Sequence, residues 1–127
     1  MRFGIIAESS ITAPFYPENR IKVADLDRFK EMLCAFASDK VEGVIGVGPA
    51  ADGRIPSVFG SVSNRHALWR LEDNVMFLRG APESTFGTKV NGEPLGQDAE
   101  RELRPGDQVE FGTGEGRYTT RVVEVCV

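Results

Sequence analysis

Residues 84–92 read STFGTKVNG, and this stretch contains the clearest local signals for the fold. Its last two residues, Asn91 and Gly92, favour a two-residue hairpin turn, because both tolerate the positive φ that such turns require. The three residues before this pair, Thr-Lys-Val, include two β-branched side chains in alternation, as expected for a short strand. The stretch therefore predicts a β-hairpin that begins just after Gly87.

Strand-like segments surround this hairpin on both sides. They are short, contain β-branched or aromatic residues, and are separated by Gly, Pro, Asp or Asn, which is typical of an all-β sandwich or barrel. Further turns are predicted at Asp73-Asn74 and at Pro105-Gly106. The predicted strands are RFGIIAE (2–8), VEGVIGV (41–47), HALWRLE (66–72), NVMFLRG (74–80), GTKVNG (87–92), DQVEFG (107–112) and RYTTRVVEVCV (117–127).

One helix is predicted before the second of these strands. In DLDRFKEMLCAFASDK (25–40) the apolar residues recur on one face, and Asp25 is placed to cap the first turn. We expect a helix at about residues 25–38 that packs on the sandwich through Leu26, Phe29, Leu33 and Phe36. The 127 residues have the size of one domain, so we predict a single domain with a first strand at 1–9, an insertion at 10–40 and a core at 41–127.

The composition argues against several classes of function. The net charge of −4 at pH 7 lacks the basic surface that nucleic-acid binding requires. No apolar run approaches the roughly 18 residues of a membrane span, and the first residues lack the apolar region of a signal peptide. Cys34 and Cys126 are far apart, without the clustering of a zinc site. We therefore expect an intracellular protein, nuclear or cytoplasmic, that uses no metal or cofactor and binds neither nucleic acid nor membrane.

Four sequence blocks follow one another along the predicted core. They are Gly46 at the end of a strand, SNRHA at 63–67, STFGTKVNG at 84–92 and LRPGDQVEFG at 103–112. This succession resembles the forkhead-associated (FHA) domain, whose pattern runs Gly-Arg, Ser-x-x-His, Ser-x-Asn-Gly-Thr-x-Val-Asn-Gly, and then Gly-Asp before an apolar strand. The resemblance covers residues from about 41 to 127. It implies an FHA-type β-sandwich of about eleven strands that recognises phosphothreonine peptides through loops at one end.

The resemblance assigns roles to the residues that match the family pattern. Ser63 matches the serine that hydrogen-bonds the phosphate, Asn64 matches a side chain that reaches the peptide, and Thr85 matches a contact to the peptide backbone. His66 matches a scaffold histidine that braces the binding loops. The residues themselves agree, because this is the only histidine and it has no metal-ligating neighbours in sequence. The other scaffold positions are Gly46, Gly87, Thr88, Asn91 and Gly92.

Two positions depart from the family pattern. Val47 stands where the family has its phosphate-binding arginine, and Phe86 stands where it has the asparagine that holds the peptide. The loss of a charge-assisted hydrogen bond costs on the order of 1.5–3 kcal/mol, which is about one to two decades in affinity. We therefore expect weak phosphothreonine binding and an exposed apolar patch formed by Val47 and Phe86. The candidate replacement cations are Arg54, Arg65 and Lys89.

Three functions remain open at this stage. The first is an FHA-type interaction or assembly module whose partner binds without phosphate, or with phosphate only as an accessory. The second is a phosphothreonine-peptide reader that uses one of the replacement cations. The third is an enzyme in which Ser63 and His66 act as nucleophile and base, which requires an orienting carboxylate next to His66. Because no Gly-x-Ser-x-Gly turn is present, we expect that the protein is not an enzyme.

Overall fold

The structure is a computed structural model that describes residues 2–7, 20–22, 42–48, 51, 53–73, 75–97 and 100–126. Within these residues the chain forms eleven strands and a short 3-10 turn at Gly114–Gly116. The strands are β1 (Arg2–Ala7), β2 (Arg20–Lys22), β3 (Glu42–Gly46), β4 (Gly53–Arg54), β5 (Ala67–Glu72), β6 (Val75–Gly80), β7 (Thr88–Val90), β8 (Glu93–Pro94), β9 (Arg101–Leu103), β10 (Gln108–Phe111) and β11 (Tyr118–Cys126).

The strands are arranged in two sheets. Sheet A has the order β1-β11-β10-β7-β8, and β2 pairs in parallel with the last residues of β11. Sheet B has the order β4-β3-β5-β6-β9, in which β3 and β4 are parallel and the other neighbours are antiparallel. The prediction of a β-sandwich of about eleven strands is confirmed.

One face of each sheet contributes to a common hydrophobic core. Along β5, Ala67 and Trp69 are buried, whereas Leu68 and Arg70 point to the opposite face and are only partly covered. This alternation is the expected consequence of the two-residue period of a strand. Each fully buried aliphatic or aromatic side chain contributes roughly 1.5–3 kcal/mol relative to an exposed position. The core includes Ile5, Ile45, Trp69, Met76, Leu78, Val90, Leu103, Val109, Phe111 and Val122.

The predicted turns are present between the strands. Asn91 and Gly92 have φ values of 51° and 83° and join β7 to β8. Asp73 has a φ of 50° and follows β5 at the start of its turn to β6. Between β9 and β10, the N–H of Asp107 donates to the carbonyl oxygen of Arg104 at 3.0 Å and closes a turn. The local turn chemistry of the sequence therefore specifies how neighbouring strands are joined.

Four strands have no counterpart among the predicted ones. β2, β4, β8 and β9 contain only two or three residues each. Segments of this length show no alternation of apolar and polar residues, so only their backbone pairing defines them. β2 lies within the predicted insertion at 10–40, and the predicted helix at about 25–38 lies outside the described residues.

The described part of the chain contains no helix with the length and hydrophobicity of a membrane span. Within the same residues, no three His, Cys, Asp or Glu side chains are grouped in a way that could hold a metal ion. Cys126 is in β11, and Cys34 lies outside the described residues.

Candidate functional site

Loops from both sheets meet at one end of the sandwich. Backbone hydrogen bonds connect them: the N–H of Val47 donates to the carbonyl of Ser63 at 3.1 Å, and the N–H of Gly112 donates to the carbonyl of Gly87 at 3.0 Å. These contacts join the loops that follow β3 and β10 to the loops that precede β5 and β7. Together they form the loop end, which comprises residues 47–48, 55–66, 81–87 and 112–117.

His66 connects the loops through its side chain and has no exposed surface. Its Nδ1 accepts the backbone N–H of Ser63 at 2.9 Å, and its Nε2 lies 2.6 Å from the carbonyl oxygen of Gly87. A neutral imidazole has one acceptor and one donor nitrogen, so the bond from Ser63 places the ring proton on Nε2, which donates to Gly87. The N–H of Gly112, 3.1 Å from Nε2, then donates to the same Gly87 oxygen instead.

The surroundings of His66 favour its neutral form. Burial lowers the pKa of His66 below its ordinary value, and the hydrogen bond to Gly87 only partly opposes this shift. Protonation would also direct an Nδ1–H at the N–H of Ser63, leaving two donors without an acceptor. Among the described residues no carboxylate contacts the ring, and its lone pair is already occupied by the Ser63 N–H. The geometry therefore does not support Ser63 and His66 as a nucleophile and its base.

The uncharged polar groups of the loop end lie around Ser63. The N–H of Thr85 donates to Ser63 Oγ at 3.1 Å, so the hydroxyl hydrogen of Ser63 can still be donated to a ligand. Ser63 is half-buried, whereas Asn64 and Thr85 are exposed. This part of the loop end therefore offers two hydroxyls and one amide to a bound molecule.

Two serines without a predicted role brace the loops. Ser84 Oγ accepts the N–H of Gly87 at 3.1 Å and lies 3.4 Å from both ring nitrogens of His66. Ser61 Oγ donates to the carbonyl of Thr113 at 2.8 Å and accepts the N–H of the same residue at 3.0 Å. A serine bonded to a backbone N–H three residues later is a local motif that sequence can indicate. The partner of Ser61 is 52 residues away, so no local signal could reveal that contact.

Three scaffold positions have structural reasons for their residue types. A Cβ at Gly46 would lie 2.1 Å from the carbonyl oxygen of Asn64, so only glycine permits this close approach of β3 to the loop before β5. Asn91 donates through Nδ2 to Asp107 at 3.0 Å and thereby attaches the β7–β8 hairpin to the turn before β10. Thr88 is buried at the start of β7.

The sequence was compared with models of known protein families. The FHA domain matches residues 43–112, which is more than half of the chain. This chain belongs to the FHA domain family. A comparison with curated proteins finds no match.

Solved FHA domains share the fold of this chain. One, from a structural and functional study of phosphothreonine-dependent FHA domain interactions, is 23% identical, covers 97% of this chain and 96% of its own, and has a TM-score of 0.63. The FhaA FHA domain, complexed with the intracellular domain of Rv3910, is 21% identical over 95% of this chain and 97% of its own, with a TM-score of 0.59. The N-terminal FHA domain of S. cerevisiae Rad53p, in complex with a phosphothreonine peptide, is 18% identical over 98% and 94%, with a TM-score of 0.64.

The two positions predicted to depart from the FHA pattern have different environments. Phe86 is 54% exposed, between Thr85 and Gly87. Val47 is partly buried and packs against the hydrophobic core. The expected apolar patch of Val47 and Phe86 is therefore reduced to the aromatic ring. The other large exposed hydrophobic side chain among the described residues is Val58, at 81%, in the loop before β5.

The three candidate cations of the FHA domain lie in different places. Arg54 is exposed beside the end of β3, and no described carboxylate lies within ion-pair distance of it. Arg65 lies 3.7 Å from Glu83 and lines a cleft on the outer face of sheet B. Lys89 is exposed on the outer face of sheet A, paired in register with Glu110. Of the three, Arg54 is the one that lies near Val47 and has no carboxylate partner within the described part of the chain.

Proposed function

We propose that this FHA domain is a protein-interaction module that binds its partner at the loop end without requiring phosphate on that partner. The observation that carries the proposal is the exposure of Phe86, which is 54% accessible at the position of the family asparagine. Aromatic residues are enriched at protein contact sites relative to the rest of the surface. The polar residues of the loop end include Ser63, Asn64 and Thr85.

The side chain at position 47 supports the same function. Val47 carries no charge and packs against the core, so a phosphate beside Ser63 would be held there by uncharged groups. Charge-assisted hydrogen bonds are about twice as strong as neutral ones, and the loss of one costs on the order of 1.5–3 kcal/mol. A phosphate group therefore adds little to the affinity at this site compared with burial of the Phe86 ring.

The solved relatives support a protein as the class of partner. The FHA domain of Rad53p was solved with a phosphothreonine peptide and that of FhaA with an intracellular domain of another protein. We extend to this chain a protein or peptide as the partner inside the cell, place its binding at the loop end, and assign no catalytic step to it.

One observation favours a second candidate function, which is phosphothreonine binding through Arg54. This guanidinium lies beside the end of β3, in register with Gly46, and no described carboxylate neutralises it. A side chain of this length reaches several ångströms beyond its backbone, and a guanidinium can bind phosphate with two hydrogen bonds. In this case Arg54 on β4 would bind the phosphate, in place of a residue in the loop after β3.

The two functions are separated by titrating the domain with a phosphothreonine peptide and with its unphosphorylated counterpart. For the proposed function we expect weak binding of the phosphopeptide, in about the millimolar range, and little difference between the two peptides. Phe86→Ser should abolish binding of a natural partner, whereas Val58→Ser, at the other exposed apolar side chain, serves as the matched control. Micromolar phosphopeptide binding that is lost on dephosphorylation and removed by Arg54→Gln would establish the second function instead.

A further inference from the structure

The outer face of sheet B contains a cleft that the loop-end site does not use. Its volume is about 480 Å³, and it crosses β3, β5 and β6. Clefts of roughly 300–1,000 Å³ are of the size that binds small ligands or side chains. Its charged and aliphatic lining consists of Glu42, Val44, Arg65, Leu68, Arg70, Arg79 and Glu100.

The centre of the cleft is apolar. Leu68 is opposite Val44 on β3 and opposite Arg79 on β6, so the three side chains form one row across the sheet. Leu68 and Val44 are half-buried, although this face of β5 points away from the core. A leucine at this outward position is an exception to the alternation of β5, and it provides apolar surface for a contact outside the core.

One arginine of the cleft already has carboxylate partners. Arg70 donates to Glu100 through Nε and through a terminal nitrogen, both at 2.9 Å, and also contacts Glu72. Its guanidinium lies 4.7 Å from the centre of the Phe77 ring. The hydrogen bond from Arg70, more than the charge of Arg79, lowers the pKa of Glu100. These contacts hold the Arg70 guanidinium in place at one side of the cleft.

The other two arginines remain available to an anionic group. Arg79 is exposed, and no carboxylate among the described residues lies within ion-pair distance of it. Arg65 lies 3.7 Å from Glu83, and both side chains are more than half exposed, so this contact is weak and easily exchanged. The cleft thus has an apolar centre between two guanidinium groups, on a protein whose overall charge is −4.

We propose that this cleft binds an acidic peptide segment, with a carboxylate side chain placed between Arg65 and Arg79 and an adjacent apolar side chain on Leu68. The inference rests on the proposed function, because it takes the segment to belong to the protein partner bound at the loop end. Arg65 belongs to both surfaces. It is part of the loop end, between Asn64 and His66, and its side chain also lines the cleft. A partner that covers Phe86 can therefore extend past Arg65 onto the outer face of sheet B.

The test is an NMR titration of the ¹⁵N-labelled domain with a short peptide of alternating aspartate and leucine, beside a peptide in which asparagine replaces aspartate. We expect saturable shifts of the Val44, Leu68 and Arg79 amides with the acidic peptide only. Arg79→Gln should weaken this binding by about tenfold, the effect of losing one charge-assisted hydrogen bond. Arg104→Gln is the control for the loss of one exposed positive charge, because Arg104 is an exposed arginine that does not line the cleft.

Absence of saturable shifts, equal shifts with the asparagine peptide, or an equal loss in the Arg104→Gln variant would each overturn the acidic-segment proposal. The Phe86→Ser variant tests the acidic-segment proposal separately from the proposed function of the loop end. This change should leave the chemical shifts at the cleft intact while it removes a contact at the loop end. Tight phosphothreonine binding at the loop end would overturn the phosphate-independent function and leave the cleft shifts unchanged.

Discussion

His66 and Gly87 are joined by a hydrogen bond of 2.6 Å between Nε2 of the imidazole and the backbone carbonyl oxygen. The two residues belong to loops 21 residues apart in sequence, the first before β5 in sheet B and the second before β7 in sheet A. The bond therefore ties the two sheets together at the loop end. Because the ring is fully buried, its contribution is to the geometry of the site and not to direct contact with a ligand.

Removal of the ring should lower stability. His66→Ala leaves the N–H of Ser63 without its acceptor, which alone costs about 1–3 kcal/mol, and it also opens a cavity beside Phe111. Urea unfolding measures the change, with Asn64→Ala as an exposed neighbouring control. Equal midpoints for wild type and His66→Ala would contradict the role of this residue as a brace.

The stability of the domain should also fall at mildly acidic pH. Burial lowers the pKa of His66 in the folded state below the value of 6.5 expected when it is unfolded, so the unfolded state binds the proton first. The stability that the neutral His66 ring contributes is fully present above pH 6.5, and it is lost as the pH falls from there through the lower pKa of the folded state. This is the only histidine, so His66→Gln should remove the pH dependence between about pH 5 and 7. Urea midpoints measured across that range should slope for the wild type and stay nearly flat for the variant.

The close approach at Gly46 gives a steric prediction. The Cβ of Gly46→Ala would lie 2.1 Å from the carbonyl oxygen of Asn64, and that atom is backbone, so either β3 or the loop before β5 must move. We expect a loss at or above the upper end of the roughly 1–3 kcal/mol that overpacking costs. Gly60→Ala is the matched control, because nothing lies within 4 Å of the Cβ it would add. Similar thermal unfolding of the two variants would exclude the steric explanation.

The sequence correctly predicts those features of the site that depend on local rules. In HALWRLE, alternation correctly indicates that Ala67 and Trp69 face the core, and the Asn91-Gly92 pair correctly indicates the hairpin. These features depend on local rules: the two-residue strand period and the conformations that Asn and Gly tolerate. The same two-residue period places Lys89 on the outer face of sheet A, because it lies between two residues that face the core.

Other features depend on contacts that are distant in sequence. The burial of Val47 follows from packing against the core after β3, and no local pattern distinguishes it from an exposed loop residue. The contacts of Ser61 with Thr113 join loops of different sheets in the same way. The cleft on sheet B requires three neighbouring strands, so its row of Val44, Leu68 and Arg79 appears only once the strand order is known.

The helix at about 25–38 stays a prediction and can be tested by substitution on its two faces. Phe29 lies on the predicted apolar stripe, and Phe29→Ala should lower the free energy of unfolding by about 3–5 kcal/mol if the ring is fully buried against the sandwich. Lys30→Ala, on the polar side of the same stretch, should change it by less than about 0.5 kcal/mol. Unchanged melting temperatures for both variants would contradict docking of the helix.

Placing the residues of the family pattern at positions 47 and 86 should strengthen phosphate recognition. We expect Val47→Arg combined with Phe86→Asn to strengthen phosphothreonine-peptide binding by about one to two decades, because one cationic donor and one amide are regained beside Ser63. The same change should weaken a phosphate-independent partner, which loses the exposed ring of Phe86. Val58→Arg is the matched control, since it adds a positive charge to the loop end at an exposed apolar position away from the family arginine.

Val47 is half-buried, so thermal unfolding of the double variant must be measured beside the binding titration. A folded double variant that binds phosphopeptide no better than the wild type would show that the two side chains do not limit phosphate recognition. Equal gains in the double variant and in Val58→Arg would attribute the improvement to net charge alone. A gain specific to the double variant would instead place the lost phosphate site at Val47 and Phe86, beside the hydroxyl that Ser63 still presents.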